Sequence, residues 1–127
     1  MGNKEGIVLP HDIKIDSNII VDLLPTFACI LRERQRGASA AHLAASFHMT
    51  IAAATVSTTL QISKGTGIKK VALGGGVFQN KILLTKIIGM LEKEGMEIFL
   101  PKRVPINDGG LALGQAAIGI HNYRVES

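Results

Sequence analysis

Apolar residues recur along this chain with two different periods, and the switches between them mark out its elements. Residues 6–9 and 13–15 are short runs of β-forming residues. Asp16-Ser17-Asn18 reads as a turn, and Ile19-Ile20-Val21 as a strand returning from it. Leu23, Leu24, Phe27, Ile30 and Leu31 then repeat at helical spacing. Asp22 is suited to cap that helix, Pro25 is tolerated in its first turn, and Gly37 ends it. A second helix starts at Ser39 and is expected to run to about residue 63, with Leu43, Phe47, Ile51 and Ala54 on one face. Many of its other positions are Ala, Ser or Thr, which let neighbours approach closely, so this helix is predicted to be largely buried. Lys64-Gly65-Thr66-Gly67 stops it.

The next pattern is the most informative. Residues 69–73 predict a short strand, followed at once by Gly74-Gly75-Gly76. A helix then begins near Gln79 or Asn80, carries Leu83, Leu84, Ile87, Ile88 and Leu91 as its core stripe, and closes at Gly95. Glu97-Ile98-Phe99-Leu100 predicts a second strand. Strand, helix and strand with short joins make a βαβ unit with parallel strands and a right-handed crossover. Residues 101–107 read as a loop, and Asp108-Gly109-Gly110 opens a last helix that runs to about His121. There are no internal repeats, and the class is α/β.

Composition narrows the function classes. The 127 residues suit one domain, and 46% hydrophobic against 19% charged residues exclude a disordered chain. The single cysteine, Cys29, excludes an internal disulfide framework and fits a reducing cytoplasm. No uninterrupted apolar run approaches the roughly 18 residues of a membrane helix. The start, residues 1–6, has no apolar signal core, and Gly6 stands where a myristoylation signal needs Ser or Thr. The net charge is +4, but its distribution matters more. Residues 34–91 contain no acid, while Arg34, Arg36, Lys64, Lys69, Lys70, Lys81 and Lys86 fall within them. That stretch suits an anion. Aromatic content is 4%, with no Trp, so the stacking rings of a single-strand nucleic-acid binder are missing. A small phosphorylated ligand fits better, against the plain reading of solvated lysines.

Two segments could carry chemistry. Glycines at the carboxyl end of a strand, as in Gly74-Gly75-Gly76-Val77-Phe78-Gln79-Asn80, let backbone N–H groups approach a ligand. The following helix favours phosphate at its N-terminus, and Asn80 could reach a ribose hydroxyl or base edge. The same glycines would also serve a tight turn needing positive φ. In Asn107-Asp108-Gly109-Gly110, Asp108 reads either as a helix cap or as a hard oxygen ligand for a metal, with the glycines leaving room for it. His42 and His48 lie on different sides of a helix, His11 and His121 near the two ends, and none forms a metal set with another. His48 and Cys29 read as structural, and Lys102-Arg103 as a solvated pair beside the loop. No residue reads as a covalent nucleophile.

These residues carry a resemblance. The run Val71-Ala72-Leu73-Gly74-Gly75-Gly76-Val77-Phe78-Gln79-Asn80 resembles a motif of the HypF family, the carbamoyltransferases of nickel–iron hydrogenase maturation. So does the run from Arg103 through Asn107-Asp108-Gly109-Gly110 to Gln115. Ala45-Ser46-Phe47-His48-Met49-Thr50 and Val21-Asp22-Leu23-Leu24-Pro25 extend the likeness over most of the chain. Related tRNA threonylcarbamoyl transferases and O-carbamoyltransferases share a looser version of both glycine motifs.

The resemblance implies an actin, Hsp70 and sugar-kinase type (ribonuclease H-like) fold, in which two lobes close over a nucleotide. Residues 1–127 would form the carboxyl-terminal lobe. Gly74, Gly75, Gly76 and Asn80 would contact the adenylate, and Asp108 would ligate a divalent metal, zinc or iron. The remaining ligands would come from a His-His-x-Ala-His motif of the other lobe, which this sequence lacks. It also lacks the acylphosphatase, zinc-finger and carbamoyladenylate-forming parts of the family. The implied partners are the missing N-terminal lobe and a HypE-like acceptor whose C-terminal cysteine receives the carbamoyl group from carbamoyladenylate. No nucleic acid or membrane is implied. The isolated chain is expected to be inactive, to bind nucleotide weakly, and to self-associate through an exposed apolar inter-lobe face. The competing expectations are a lobe of a tRNA threonylcarbamoyl or O-carbamoyl transferase, and a non-catalytic nucleotide-binding module.

Overall fold

The computed structural model describes residues 6–125, so the signal-sequence reading of residues 1–5 falls outside them. Strands β1 (Asp12–Ile15) and β2 (Ile19–Asp22) form an antiparallel hairpin, with Ile13 opposite Val21 and Ile15 opposite Ile19. Helix α1 (Leu24–Gln35) and the long helix α2 (Ala40–Thr66) follow. Strand β3 (Lys70–Ala72), a 3-10 turn (Gly76–Gln79), helix α3 (Lys81–Lys93) and strand β4 (Glu97–Phe99) come next. A second 3-10 turn (Asp108–Gly110) leads into helix α4 (Leu111–Val125).

The predicted βαβ unit is present. β3 and β4 pair in parallel, with Val71 opposite Ile98, and Leu73 N–H donates to the Phe99 carbonyl at 3.0 Å to extend the ladder. α3 exists because its apolar residues fall every fourth position: Leu83, Ile87 and Leu91 are all buried. The Asn80 carboxamide oxygen accepts from Leu83 N–H at 3.2 Å and starts the helix. Gly95, at φ 74°, turns the chain out of it. These residues join Ala52 and Val56 of α2 with Leu73 and Met96 in one core. The core therefore sits between α2, α3 and the parallel pair, directly under the glycine loop.

The sequence expectations need three corrections in the amino-terminal half. Residues 6–9 form no strand and have no strand partner among the described residues. They lie along α2, where Ser46 Oγ accepts from Ile7 N–H at 3.2 Å and Thr50 Oγ1 from Leu9 N–H at 2.8 Å. Alternate residues of an extended chain advance roughly 6.6 Å and one helical turn plus a fraction about 6 Å, so the two repeats match. The small polar residues of α2 thus serve as docking sites for a backbone. Gly6 permits the approach, because a Cβ there would collide with the Ala45 backbone. Thr50→Val is expected to strand the Leu9 N–H and cost about 1–3 kcal/mol. Chemical denaturation measures it.

The second correction concerns α1. Its buried residues are Thr26 and Cys29, and the Thr26 hydroxyl donates to the Pro10 carbonyl at 2.7 Å. Of the predicted stripe, Leu23 and Ile30 are half-buried, while Leu24, Phe27 and Leu31 are exposed, at 74%, 50% and 66%. Periodicity finds an apolar face but not the element that covers it. Asp22 ends β2, and its carboxylate accepts from Leu24 N–H at 3.0 Å in front of the helix. That bond, with Lys14 at 3.4 Å, holds the Asp22 carboxyl below the usual aspartate range.

The third concerns α2, which runs through Lys64-Gly65-Thr66 and stops at Gly67 with φ 73°. It is less buried than predicted: a third of its most apolar 18-residue window is inside. By length and composition it would also reach across a bilayer, with mean hydropathy 1.2 over that window. Here it packs on α3 and α1, with Phe27 and Phe47 rings 5.9 Å apart. α4 likewise extends past His121, and Leu111, Leu113, Ile118 and Ile120 along it are all exposed.

Candidate functional site

The two glycine motifs, far apart in sequence, meet in space. Gly75 N–H donates to the Ile106 carbonyl at 2.7 Å. This clasp holds the loop after β3 against the loop that leads into α4. Between them lies a groove of about 570 Å³, lined by Gly74, Gly75, Pro105, Asp108, Leu111 and Ile118 among others. Its walls are mainly apolar, and no lysine or arginine lines it. The acid-free stretch therefore does not put its cations into this groove, and Lys102 and Arg103 lie outside its lining as well. A charged group bound here would rely on backbone N–H groups, whose dipoles act without a formal charge.

The three glycines divide into two kinds. Gly75 sits at φ 111° and ψ 158°, a region essentially closed to residues with a Cβ. The tight-turn requirement is therefore real at that position, and its N–H is spent on Ile106. Gly74 and Gly76 have ordinary φ, and a Cβ on either would meet nothing within 4 Å. Nothing within the described chain requires glycine there. A ligand whose atoms come close to the backbone would.

Asn107 and Asp108 also separate. The Asn107 side chain caps the 3-10 turn, accepting from Gly109 N–H at 3.0 Å. Asp108 is exposed and lines the groove; its carbonyl accepts from Leu111 N–H, while its carboxylate makes no hydrogen bond or ion pair among the described residues. Capping thus belongs to its neighbour. The flanking glycines also have a packing reason, beside the room they would leave for a ligand. A Cβ at Gly110 would come within 3.0 Å of the Pro105 carbonyl oxygen and of Val104 Cγ1.

The structure brings Gly74, Gly75 and Asp108 onto one groove, while Gly76 and Asn80 lie beyond its lining. Asn80 instead links two helices. Its amide nitrogen lies 2.7 Å from His48 Nε2, and His48 Nδ1 lies 2.8 Å from the Ala44 carbonyl. His48 thus has a structural role, as expected, but its partner lies 32 positions away, where no spacing pattern points. Cys29 is a buried free thiol, as expected. Among the described residues no three His, Cys, Asp or Glu side chains gather as a metal site. Asp108 has the hard-oxygen chemistry a divalent cation takes, but it is a single ligand.

Known proteins match this arrangement. The family model described as carbamoyltransferase, Kae1-like domain, second subdomain, matches residues 3–115. Carbamoyltransferase HypF2 of Cupriavidus necator is 34% identical over 94% of this chain, which spans 14% of that protein's length. A crystal structure of full-length HypF in the phosphate- and nucleotide-bound form superposes with a TM-score of 0.86 at 34% identity. It covers 94% of this chain and 16% of its own. Similarity extends to a tRNA N6-adenosine threonylcarbamoyltransferase of Sorangium cellulosum, 32% identical over 67% of this chain and 24% of that protein. The βαβ unit, the clasped glycine motifs and these matches agree: the chain belongs to the HypF carbamoyltransferase family and forms the second subdomain of its Kae1-like domain.

Proposed function

We propose that this chain supplies one wall of the nucleotide site and one metal ligand of a HypF-type carbamoyltransferase. Such an enzyme makes a carbamoyladenylate from carbamoyl phosphate and ATP. It then passes the carbamoyl group to the C-terminal cysteine of a HypE-like acceptor. In that transfer the acceptor thiolate forms a bond to the carbamoyl carbon. The carbon–oxygen bond to the adenylate phosphate breaks, and AMP leaves with the electron pair.

The observation that carries this reading is the clasp of Gly75 on Ile106, which sets open Gly74 and the Asp108 carboxylate, unpartnered among the described residues, on one apolar groove. The apolar walls suit the planar face of an adenine. The Gly74 N–H on the groove and the Gly76 N–H beyond its lining, both unpartnered among the described residues, suit phosphate oxygens. Asp108 would hold a divalent cation, zinc or iron, together with ligands from the companion lobe; when bound it supplies Lewis-acid polarisation and orientation of the adenylate. The residues of this chain thus bind and orient the donor, and contribute to rate by positioning. The stripe Leu24, Phe27 and Leu31 and the apolar positions of α4 are exposed here and suit contact with companion parts, or self-association in their absence.

Half a site binds weakly. Calorimetric titration of the chain with ATP and a divalent cation is expected to give a dissociation constant weaker than about 100 μM, against micromolar for the chain joined by its companion lobe. Micromolar binding by the chain alone would contradict the divided site. The match to a tRNA threonylcarbamoyltransferase supports a second reading, transfer to tRNA. Supplying either a HypE-like thiol or tRNA as acceptor separates the two.

A further inference from the structure

We propose that His48 is a positioning residue for the glycine loop, acting through the carboxamide of Asn80. The inference rests on the reading above, in which the glycine loop holds the adenylate, and on the contact from Asn80 that the family resemblance implies.

The hydrogen bonds fix one another's direction. Leu83 N–H can only donate, so the Asn80 atom 3.2 Å from it is the oxygen. The Asn80 atom 2.7 Å from His48 Nε2 is then the amide nitrogen, which can only donate. His48 Nε2 must therefore be unprotonated, and the ring proton sits on Nδ1. There it donates to the Ala44 carbonyl at 2.8 Å, which can only accept. Every donor meets an acceptor, and the neutral Nδ1–H tautomer is the only one that satisfies all three contacts.

The consequence reaches the loop. Asn80 closes the 3-10 turn Gly76–Gln79, with its own N–H on the Val77 carbonyl, and caps α3. Capping alone leaves an exposed carboxamide free to leave and return. The imidazole on α2 removes that freedom, because a flipped amide would present N–H₂ to Leu83 N–H and oxygen to a lone pair. One amide N–H of Asn80 then remains for a ligand, in a held orientation. Fixing a donor in advance lowers the ordering cost of binding.

The test uses the assembled transferase, this chain with its companion lobe, and ATP as the probe. His48→Leu is expected to weaken ATP binding about 2–10-fold, the worth of one hydrogen bond. His48→Gln, which can still present an acceptor oxygen, restores most of it. Asn80→Ser keeps a capping side chain, so α3 still forms, and loses the amide; it weakens binding at least as much. Nitrogen chemical shifts of the His48 ring report the Nδ1–H tautomer in the wild type and a mixture in Asn80→Ser. Wild-type affinity in His48→Leu, with weakened binding in Asn80→Ser, overturns the positioning role and leaves the loop–nucleotide reading intact. Wild-type affinity in all three variants overturns that reading, and the positioning role with it.

Discussion

Replacing Asp108 by alanine in the assembled transferase cuts carbamoyl transfer at least about 100-fold, since even outer-shell partners of a metal ligand typically cost 10–100-fold. Metal content falls with it, and the fold is retained. The argument rests on what Asp108 does not do. Its carboxylate caps nothing, because Asn107 accepts from Gly109 N–H at 3.0 Å. It pairs with no cation among the described residues, and it is exposed on the groove. A side chain with no structural task can be removed without structural loss, so circular dichroism and melting temperature of the metal-free chain should not move. Metal analysis after gel filtration separates the outcomes. Unchanged metal content in Asp108→Ala would make Asp108 an ordinary solvated carboxylate.

The glycine loop gives the second large effect, and it splits by position. Gly75→Ala is expected to cost about 1–3 kcal/mol, because φ 111° with ψ 158° admits no Cβ without strain. Relief of that strain moves the Gly75 N–H off Ile106 and opens the groove between the motifs. Gly76→Ala leaves stability within about 0.5 kcal/mol, since a Cβ there meets nothing within 4 Å. Its effect is on the ligand: nucleotide affinity of the assembled enzyme falls about tenfold or more, about 1.4 kcal/mol, where backbone and phosphate approach. Thermal unfolding and ATP titration on the two variants give opposite patterns if the loop is both a strained turn and a ligand cradle. Equal affinity in wild type and Gly76→Ala would reduce the loop to a turn.

How much of this was legible in the sequence depends on how local each cause is. Asn80, Leu83, Ile87, Leu91 and Gly95 cap, fill and end α3 within one stretch of chain, and spacing alone finds them. The parallel strands around it follow from the short joins. Residues 6–9 failed as a strand because pairing needs a partner, and the partner here is a helix offering Ser46 and Thr50. Leu24, Phe27 and Leu31 announce an apolar face, yet this chain buries Thr26 and Cys29 instead. The chain spans 14% of the length of its HypF2 relative, so a pattern can record a surface that other parts cover.

The candidate site was legible as two glycine motifs and not in the division of labour among their residues. Adjacent Asn107 and Asp108 are both good caps by type, and only geometry gives the cap to one of them. Three consecutive glycines look alike in sequence, and only the backbone shows that Gly75 alone needs its conformation. The acid-free stretch suggested cations around an anion, but cations far apart in sequence need not share a surface, and none lines the groove. The His48–Asn80 contact joins elements whose only link is tertiary.

Reconstitution tests the central claim, that this chain is one half of a divided carbamoyl-transfer site. The chain, its companion lobe and their mixture are each given carbamoyladenylate and a HypE-like acceptor, and acceptor mass is followed for the added carbamoyl group. The account predicts transfer in the mixture alone. Turnover by this chain without the companion lobe, or an inert mixture of two folded and associated lobes, would contradict it.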